Sequence, residues 1–410
     1  MHRTMRILPA LTLAACLLIP AGAIAFSFGE EPAESDRPAG RAAQAAGDAA
    51  PEAGEDQPEA APESKPELSP ELAALRDRIR RILMRNFRQP FNTRDNTPAD
   101  VIQLCRAFGG HAEVHQGGSS GSKINAVGCL CWNYSCAGYR LLKSSKGRVM
   151  ARIGYGLQRH PSQFLAVLAL SRVPVDYEVR VGEDRGTVAD LVEHQMLDCR
   201  SGSDLTFKLI GLAHYLETDR RWKNHRGEDW SVDRLVVEEL ARSADVGNSD
   251  VTNRLMGLSY AVDRRIQRQL PVDGPFLRAQ SHVSKYHDHA LKLQNPDGSW
   301  HPRFFAATGT SRDLSGLLRS TGHILEWLAF SLPEDRLKDP RVLRSVDYLA
   351  ALLENRRFQQ NVNAMSARDI AAVMHAAHAL LIYDHRAFKP WDPEEPAQEG
   401  AQSEQQPTSS

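Results

Sequence analysis

Two stretches that align without a gap decide the fold: SDLTFKLIGLAH at 203–214 and SDVTNRLMGLSY at 249–260. In both, a Ser-Asp pair precedes a run whose apolar residues recur at helical spacing. Two further runs with the same pattern begin near Asp313 and Asp369. A repeated helical unit is typical of an array in which each unit buries its apolar face on its neighbours.

Another amphipathic segment precedes each repeated helix, so the chain is organised in helix pairs. These preceding segments are 188–197, 232–242, 276–293 and 342–353. Earlier helices are predicted at 70–86, 99–108 and 161–171, with a Gly- and Ser-rich loop at 109–128 and a short strand at 173–181. The pattern predicts an all-α fold of five to six pairs, either closed into a ring or open as a solenoid.

The repeated positions have local physical roles. The aspartates that begin the repeated helices are expected to cap free N–H groups and to oppose the positive end of the helix dipole. Gly211 and Gly257 lie inside helices, where glycine lowers stability. We therefore expect neighbouring helices to approach closely at both glycines.

The beginning of the chain resembles a secretory signal peptide. Arg3 and Arg6 precede an apolar stretch, and Ala23 and Ala25 supply small residues before a cleavage site ahead of Phe26. The prediction is an exported protein, periplasmic or secreted, with residues 1–25 removed and no transmembrane span in the mature chain. A lipid anchor at Cys16 is the alternative, although an apolar run follows that cysteine.

Segments of low hydrophobicity flank the helical region. Residues 26–67 and 391–410 contain too little apolar surface to offset the entropy of ordering, so we predict a disordered linker and tail around a helical domain at 68–390. Residues 27–67 carry eleven acids against three bases, and the tail carries five acids and no base. The domain consequently has ten more bases than acids, which is compatible with an anionic partner or with solubility alone.

Five cysteines follow the predicted cleavage site. They are Cys105, Cys129, Cys131, Cys136 and Cys199. In an exported protein they are expected to form disulfides that hold the early, loop-rich region, with one thiol left over. The spacing of the cluster at 129–136 does not match a zinc knuckle, so no metal site is expected there.

The stretch LKLQNPDGSW at 291–300 resembles the glutamine–tryptophan turn of the terpenoid cyclase and prenyltransferase superfamily. Gln294 ends a helix, Asn-Pro-Asp-Gly forms a tight turn, and Trp300 can pack over it. The resemblance, clearest over 186–390, implies an α/α toroid. The chain lacks the aspartate-rich motif of the cyclases, a cysteine after Cys199 for the prenyltransferase zinc site, and the thioester motif of complement-like members. The resemblance therefore gives no basis for assigning one of these activities to the chain.

Four residues are predicted to line a central cavity of the toroid: His214, Tyr260, His323 and Trp327. His or Tyr could act as a general base, and Trp could stack on a ligand. The competing interpretation places all four in the packed core as hydrogen-bonded residues.

Metal binding is not expected from the remaining histidines. His287 and His289 lie on different sides of one helix. His375 and His378 share a face, but no carboxylate is evident beside them in the sequence. We expect neither metal nor cofactor.

Two functions remain open. The first is a monomeric ligand-binding or scaffold domain for an anionic glycan or an extended apolar ligand, without nucleic acid. The second is a lyase or hydrolase that acts on an acidic polysaccharide. A lyase would use Tyr260 or His323 as base and an arginine, Arg254, Arg312 or Arg319, to neutralise a carboxylate. A hydrolase would need two opposed carboxylates, and the repeated aspartates are better explained as caps.

Overall fold

A computed structural model describes residues 68–145, 147–388 and 390–391. The predicted signal peptide, the linker and the tail after Trp391 lie outside the described residues. Within them the chain forms thirteen α-helices, so the predicted all-α class is confirmed. The helices are α1 Pro70–Phe87, α2 Pro98–Phe108, α3 Ala126–Cys131, α4 Gln163–Leu170, α5 Val188–Leu197, α6 Thr206–Tyr215, α7 Val232–Ala241, α8 Asp250–Gln267, α9 Gly274–Leu293, α10 Leu314–Ser331, α11 Glu334–Leu337, α12 Pro340–Leu353 and α13 Ala367–Ala387.

Four small antiparallel hairpins accompany the helices. Their strands are β1 Glu113–His115 with β2 Lys123–Asn125, β3 Leu142–Ser145 with β4 Arg148–Ala151, β5 Glu178–Val181 with β6 Asp184–Thr187, and β7 Arg221–Lys223 with β8 Asp229–Ser231. The secondary structure predicted from the sequence differs from the structure in two segments. Only the last four residues of 173–181 are extended, and the predicted loop at 109–128 contains the first hairpin and the start of α3. Short strands and short helices produce too few repeats for the pattern to distinguish them.

Polar side chains start several helices, as the sequence predicts. Asp313 accepts a bond from the Gly316 amide at the start of α10. Thr97 and Asp100 form a reciprocal capping box on α2. Asp250 departs from the expectation, because its carboxylate forms an ion pair with Arg242, the residue that follows α7.

Six helices contact one another in a cyclic order. Helix α2 packs on α4, α4 on α6, α6 on α8, α8 on α10, α10 on α13, and α13 on α2. Other helices cover this set: α1 contacts α13, α5 contacts α6, α9 contacts α8, and α12 contacts α10 and α13. The side chains between these helices form one continuous apolar core.

The glycines inside the helices mark close contacts. A methyl group added to Gly211 would lie 2.8 Å from the Leu165 side chain on α4. A methyl group added to Gly257 would lie 3.1 Å from the carbonyl oxygen of Thr206 on α6. The predicted close approach of neighbouring helices at both glycines is therefore confirmed.

The turn at 294–300 ties three helices together. The Gln294 amide donates to the carbonyl oxygen of Arg341 on α12 at 2.9 Å. The indole N–H of Trp300, which is fully buried, donates to the carbonyl oxygen of Ala290 on α9 at 2.7 Å. The backbone N–H of Trp300 also donates to the hydroxyl of Thr321 on α10, at 3.2 Å.

The five described cysteines are all buried, and none forms a disulfide in this structure. The Sγ atoms of Cys129 and Cys136 lie 3.8 Å apart. Cys199 lies at the end of α5, where its thiol donates to the carbonyl oxygen of Gln195.

Two features bear on the ends of the domain. Among the described residues, none of the helices has the length and apolarity needed to cross a bilayer. The ring of Trp391, placed by the sequence analysis at the start of the tail, packs edge-on against Phe87 of α1.

Candidate functional site

A cluster of charged and imidazole side chains lies inside the helical core, where α2, α10 and α13 meet. Glu326 on α10 is at its centre. Its Oε1 accepts from Arg106 of α2 at 2.9 Å and from Nδ1 of His378 at 2.6 Å. Its Oε2 accepts from Nδ1 of His375 at 2.7 Å, and the His375 ring lies 3.7 Å from that of His323. We call these five residues the Glu326 cluster.

Burial and charge fix the protonation states of the Glu326 cluster. Burial alone would raise the pKa of Glu326, but Arg106 and His375 outweigh it and hold that pKa well below its ordinary value. Burial lowers the pKa of His375, against the opposing attraction of Glu326. Burial, and then the neighbouring His375, lower the pKa of His323 strongly. The carboxylate is therefore ionised and both imidazoles are neutral at neutral pH.

The hydrogen bonds determine which ring nitrogens can react. An ionised carboxylate only accepts, so His375 and His378 donate to Glu326 through Nδ1–H. The Nε2 atom of the neutral His375 consequently carries a lone pair that can accept a proton. A carboxylate behind an imidazole orients that ring and stabilises its protonated form, which is the arrangement of a general base.

Three of these residues lie close enough together to be considered as metal ligands. Among the described residues, His323, Glu326 and His375 are the one group of three whose ligand atoms come close enough to share an ion. Both Glu326 oxygens already accept hydrogen bonds, one of them from a guanidinium. The rings of His323 and His375 are stacked with a tilt of 30°, so their in-plane lone pairs do not converge on one point. The geometry does not fit a shared metal ion.

His214 and Tyr260, two of the predicted cavity residues, form a pair elsewhere in the core. Nδ1 of His214 lies 2.7 Å from the Tyr260 hydroxyl, and the Tyr260 ring stacks on Phe330. Burial lowers the pKa of His214 to about 4 and raises that of Tyr260. One turn along α8, burial raises the pKa of Asp263 to about 6. Tyr260 is thus held in its protonated form at neutral pH, which makes it a poor base.

Trp327 and His323, the other two predicted residues, have different surroundings. Trp327 is entirely buried, its indole N–H donates to Ser259 at 3.2 Å, and its ring packs on His287. His323 belongs to the Glu326 cluster instead. Of the four predicted residues, His214 and Tyr260 contact each other, whereas Trp327 and His323 have other partners.

The arginines considered for a lyase also separate. Arg254 is buried and points to His282, and Arg312 is exposed. Arg319 lies one turn before His323 on α10, and its guanidinium is 5.9 Å from the ring of Phe304. Of the three, Arg319 is the one whose charge acts on His323.

A groove of 310 Å³ opens where α2 and α13 begin. Its wall is the loop at 153–156, where Gly154 and Gly156 have positive φ angles and present Tyr155 to solvent. The Tyr155 side chain is 88% exposed, which is unusual for a large aromatic residue. Arg159 and Thr97 also line the groove.

The sequence analysis missed two residues of the site, Glu326 and Arg106. The spacing contained part of the signal, because His323 and Glu326 are three residues apart on α10 and His375 and His378 are three apart on α13. The statement that no carboxylate lies beside the latter pair was wrong. That carboxylate comes from a helix about fifty residues away in the chain, beyond the reach of local spacing.

Comparison with known proteins adds no assignment. No protein-family model matches the chain, and no curated protein or solved structure matches it.

Proposed function

We propose that this chain is an exported α/α toroid, distantly related to the terpenoid cyclase and prenyltransferase superfamily, that binds an anionic glycan. Two observations support the toroid. The cyclic contact order of α2, α4, α6, α8, α10 and α13 is that of six inner helices in a closed ring. The hydrogen bonds of Gln294 and Trp300 give the glutamine–tryptophan turn a role in joining helix pairs. The sequence before Phe26 supports export.

The proposal of glycan binding rests on the exposed ring of Tyr155 beside the groove. An aromatic ring held out by two glycines over a groove offers a flat apolar face, on which the C–H face of a sugar ring can stack. Arg159, exposed on the same groove, can bind a carboxylate or sulfate. The excess of bases in the helical domain adds long-range attraction for such a polymer.

The imidazole–carboxylate arrangement of the Glu326 cluster supports a second candidate, a lyase, for a substrate that reaches this depth. Thr97 caps α2 and Ala367 begins α13 at the groove, and Arg106 and His375 each lie eight or nine residues further along those helices. At 1.5 Å per residue the cluster lies about 12 Å below the groove. A neutral His323 or His375 could remove the proton beside a uronate carboxylate, whose charge Arg319 would neutralise.

Binding can be tested with immobilised acidic polysaccharides, including alginate, polygalacturonate and heparin, and with neutral glucans as a reference. Tyr155→Ala and Arg159→Gln should each weaken retention at least about tenfold on the acidic polymer that is bound. Leu277→Ala and Arg278→Gln are matched controls, because they line a separate groove beside α9 and should leave retention unchanged. Equal losses in both sets, or retention on neutral glucan alone, would refute the assignment.

The lyase can be tested on the same polymers. Elimination creates an unsaturated uronate that absorbs ultraviolet light, so product formation is followed directly. His323→Gln should abolish this signal while Tyr155→Ala reduces it through weaker binding. Binding without any unsaturated product would support the binding function and would refute the lyase.

A further inference from the structure

The thiols of Cys129 and Cys136 lie side by side in the core. Cys129 is in the last turn of α3, and Cys136 is in the loop that follows, seven residues later. Both are almost completely buried, and their Sγ atoms are 3.8 Å apart and share a hydrogen bond. A disulfide would bring the two sulfurs from 3.8 Å to about 2.05 Å.

The segment next to Cys136 supports the groove. Cys136 and Tyr139 exchange two backbone hydrogen bonds, of 2.8 and 2.9 Å. The Tyr139 ring packs edge-on against the Tyr155 ring, with 6.3 Å between the ring centroids. A methyl group added to Gly156 would lie 3.2 Å from the Tyr139 ring. The position of the loop at 153–156 therefore depends on where Tyr139, and through it Cys136, is held.

We propose that Cys129 and Cys136 form a disulfide in the exported protein and that this bond braces the Tyr155 wall of the groove. The two thiols lose two protons and two electrons as the Sγ–Sγ bond forms. A disulfide oxidant, such as oxidised glutathione, takes the electrons by thiol–disulfide exchange and becomes two thiols. Because both sulfurs are buried in the finished fold, the exchange takes place as the chain folds.

Among the described cysteines, Cys129 and Cys136 are joined by a sulfur–sulfur hydrogen bond. The thiol of Cys199 donates to the carbonyl oxygen of Gln195, and the groups that act on its pKa, which are Lys208, Trp222, Asp198 and Arg234, include no cysteine. Cys105 and Cys131 lie close enough to this pair to raise the pKa of Cys129. In the folded protein the hydrogen bond shared with Cys129, with Arg140 nearby, lowers the pKa of Cys136 despite its burial.

The connectivity can be mapped on the full chain after refolding with oxidised and reduced glutathione. Free thiols are alkylated under denaturing conditions, and the protein is digested without reductant and analysed by mass spectrometry. A peptide pair joined through Cys129 and Cys136, with Cys199 alkylated, is the expected result. Any other linkage of these two cysteines, or alkylation of both, would overturn the proposal.

The disulfide rests on the proposed export of the chain, and the bracing rests on the groove as the binding site. It is tested without ligand, by hydrogen exchange of the amides of Tyr139 and Gly154. Cys136→Ser, and the wild type after reduction, should exchange these amides about tenfold faster than the oxidised wild type. Cys199→Ser is the matched control and should not change them. Equal exchange in oxidised and reduced protein would refute the bracing, whereas a failed glycan screen would leave it intact.

Discussion

Replacing Glu326 by glutamine should destabilise the protein strongly. The substitution keeps the shape of the side chain but removes the charge that Arg106, His375 and His378 all face. The substitution leaves Arg106, which is only 4% exposed, without its counter-ion. Breaking a buried ion pair on one side costs about 3–5 kcal/mol, and we expect a loss of that size in the free energy of unfolding.

Glu239 provides the matched control, because it is also a buried carboxylate. It accepts from the Leu205 amide and the Thr206 hydroxyl, and its partner Arg242 keeps a second acid, Asp250. Burial is the dominant influence on it and raises the pKa of Glu239. Since the charged form is disfavoured there, Glu239→Gln should cost only about 0–1.5 kcal/mol.

The pH dependence separates the two substitutions further. The pKa of Glu326 is lowered in the fold, so its stabilising effect is fully present above the ordinary value of 4.5 and is lost as pH falls through the folded value. The pKa of Glu239 is raised, so acidification relieves its charged form and favours the wild type over Glu239→Gln. Urea unfolding followed by circular dichroism, at about pH 7, pH 5 and pH 3.5, covers the pH range of both effects. Equal losses in the two variants, or pH trends of the same sign, would refute the electrostatic account.

Two further predictions concern the core. Asp263→Asn should stabilise the protein by about 1–3 kcal/mol at neutral pH, because the pKa of Asp263 is raised to about 6 and its charged form is disfavoured in the fold; the gain should fade in urea unfolding as pH falls towards 4. Trp327→Ala should cost about 3–5 kcal/mol, since the ring is completely buried, and thermal unfolding would contradict this if the melting temperature stayed the same.

The sequence by itself determined the positions of most of the described helices, several helix starts and the turn at 294–300. These features depend on neighbours in the chain: an apolar face recurs every three or four residues, a capping side chain reaches an amide three residues on, and Asn-Pro-Asp-Gly adopts a tight turn. The predicted bounds of α5 agree with the structure, and those of α1 and α2 differ by one residue. Such interactions are local, so composition and spacing contain them.

Only the tertiary structure decided which side chains meet. The spacing of His323 and Glu326 places both on one face of α10, but it does not say which helix covers that face. Arg106, 220 residues earlier in the chain, reaches Glu326 because α2 packs on α13 and α13 on α10. The contact between the thiols of Cys129 and Cys136 likewise depends on the path of the loop after α3, which Asn133 and Ala137 bend through positive φ angles. Helix-to-helix packing and the course of loops arise from shape and burial over the whole domain, and periodicity along the chain does not encode them.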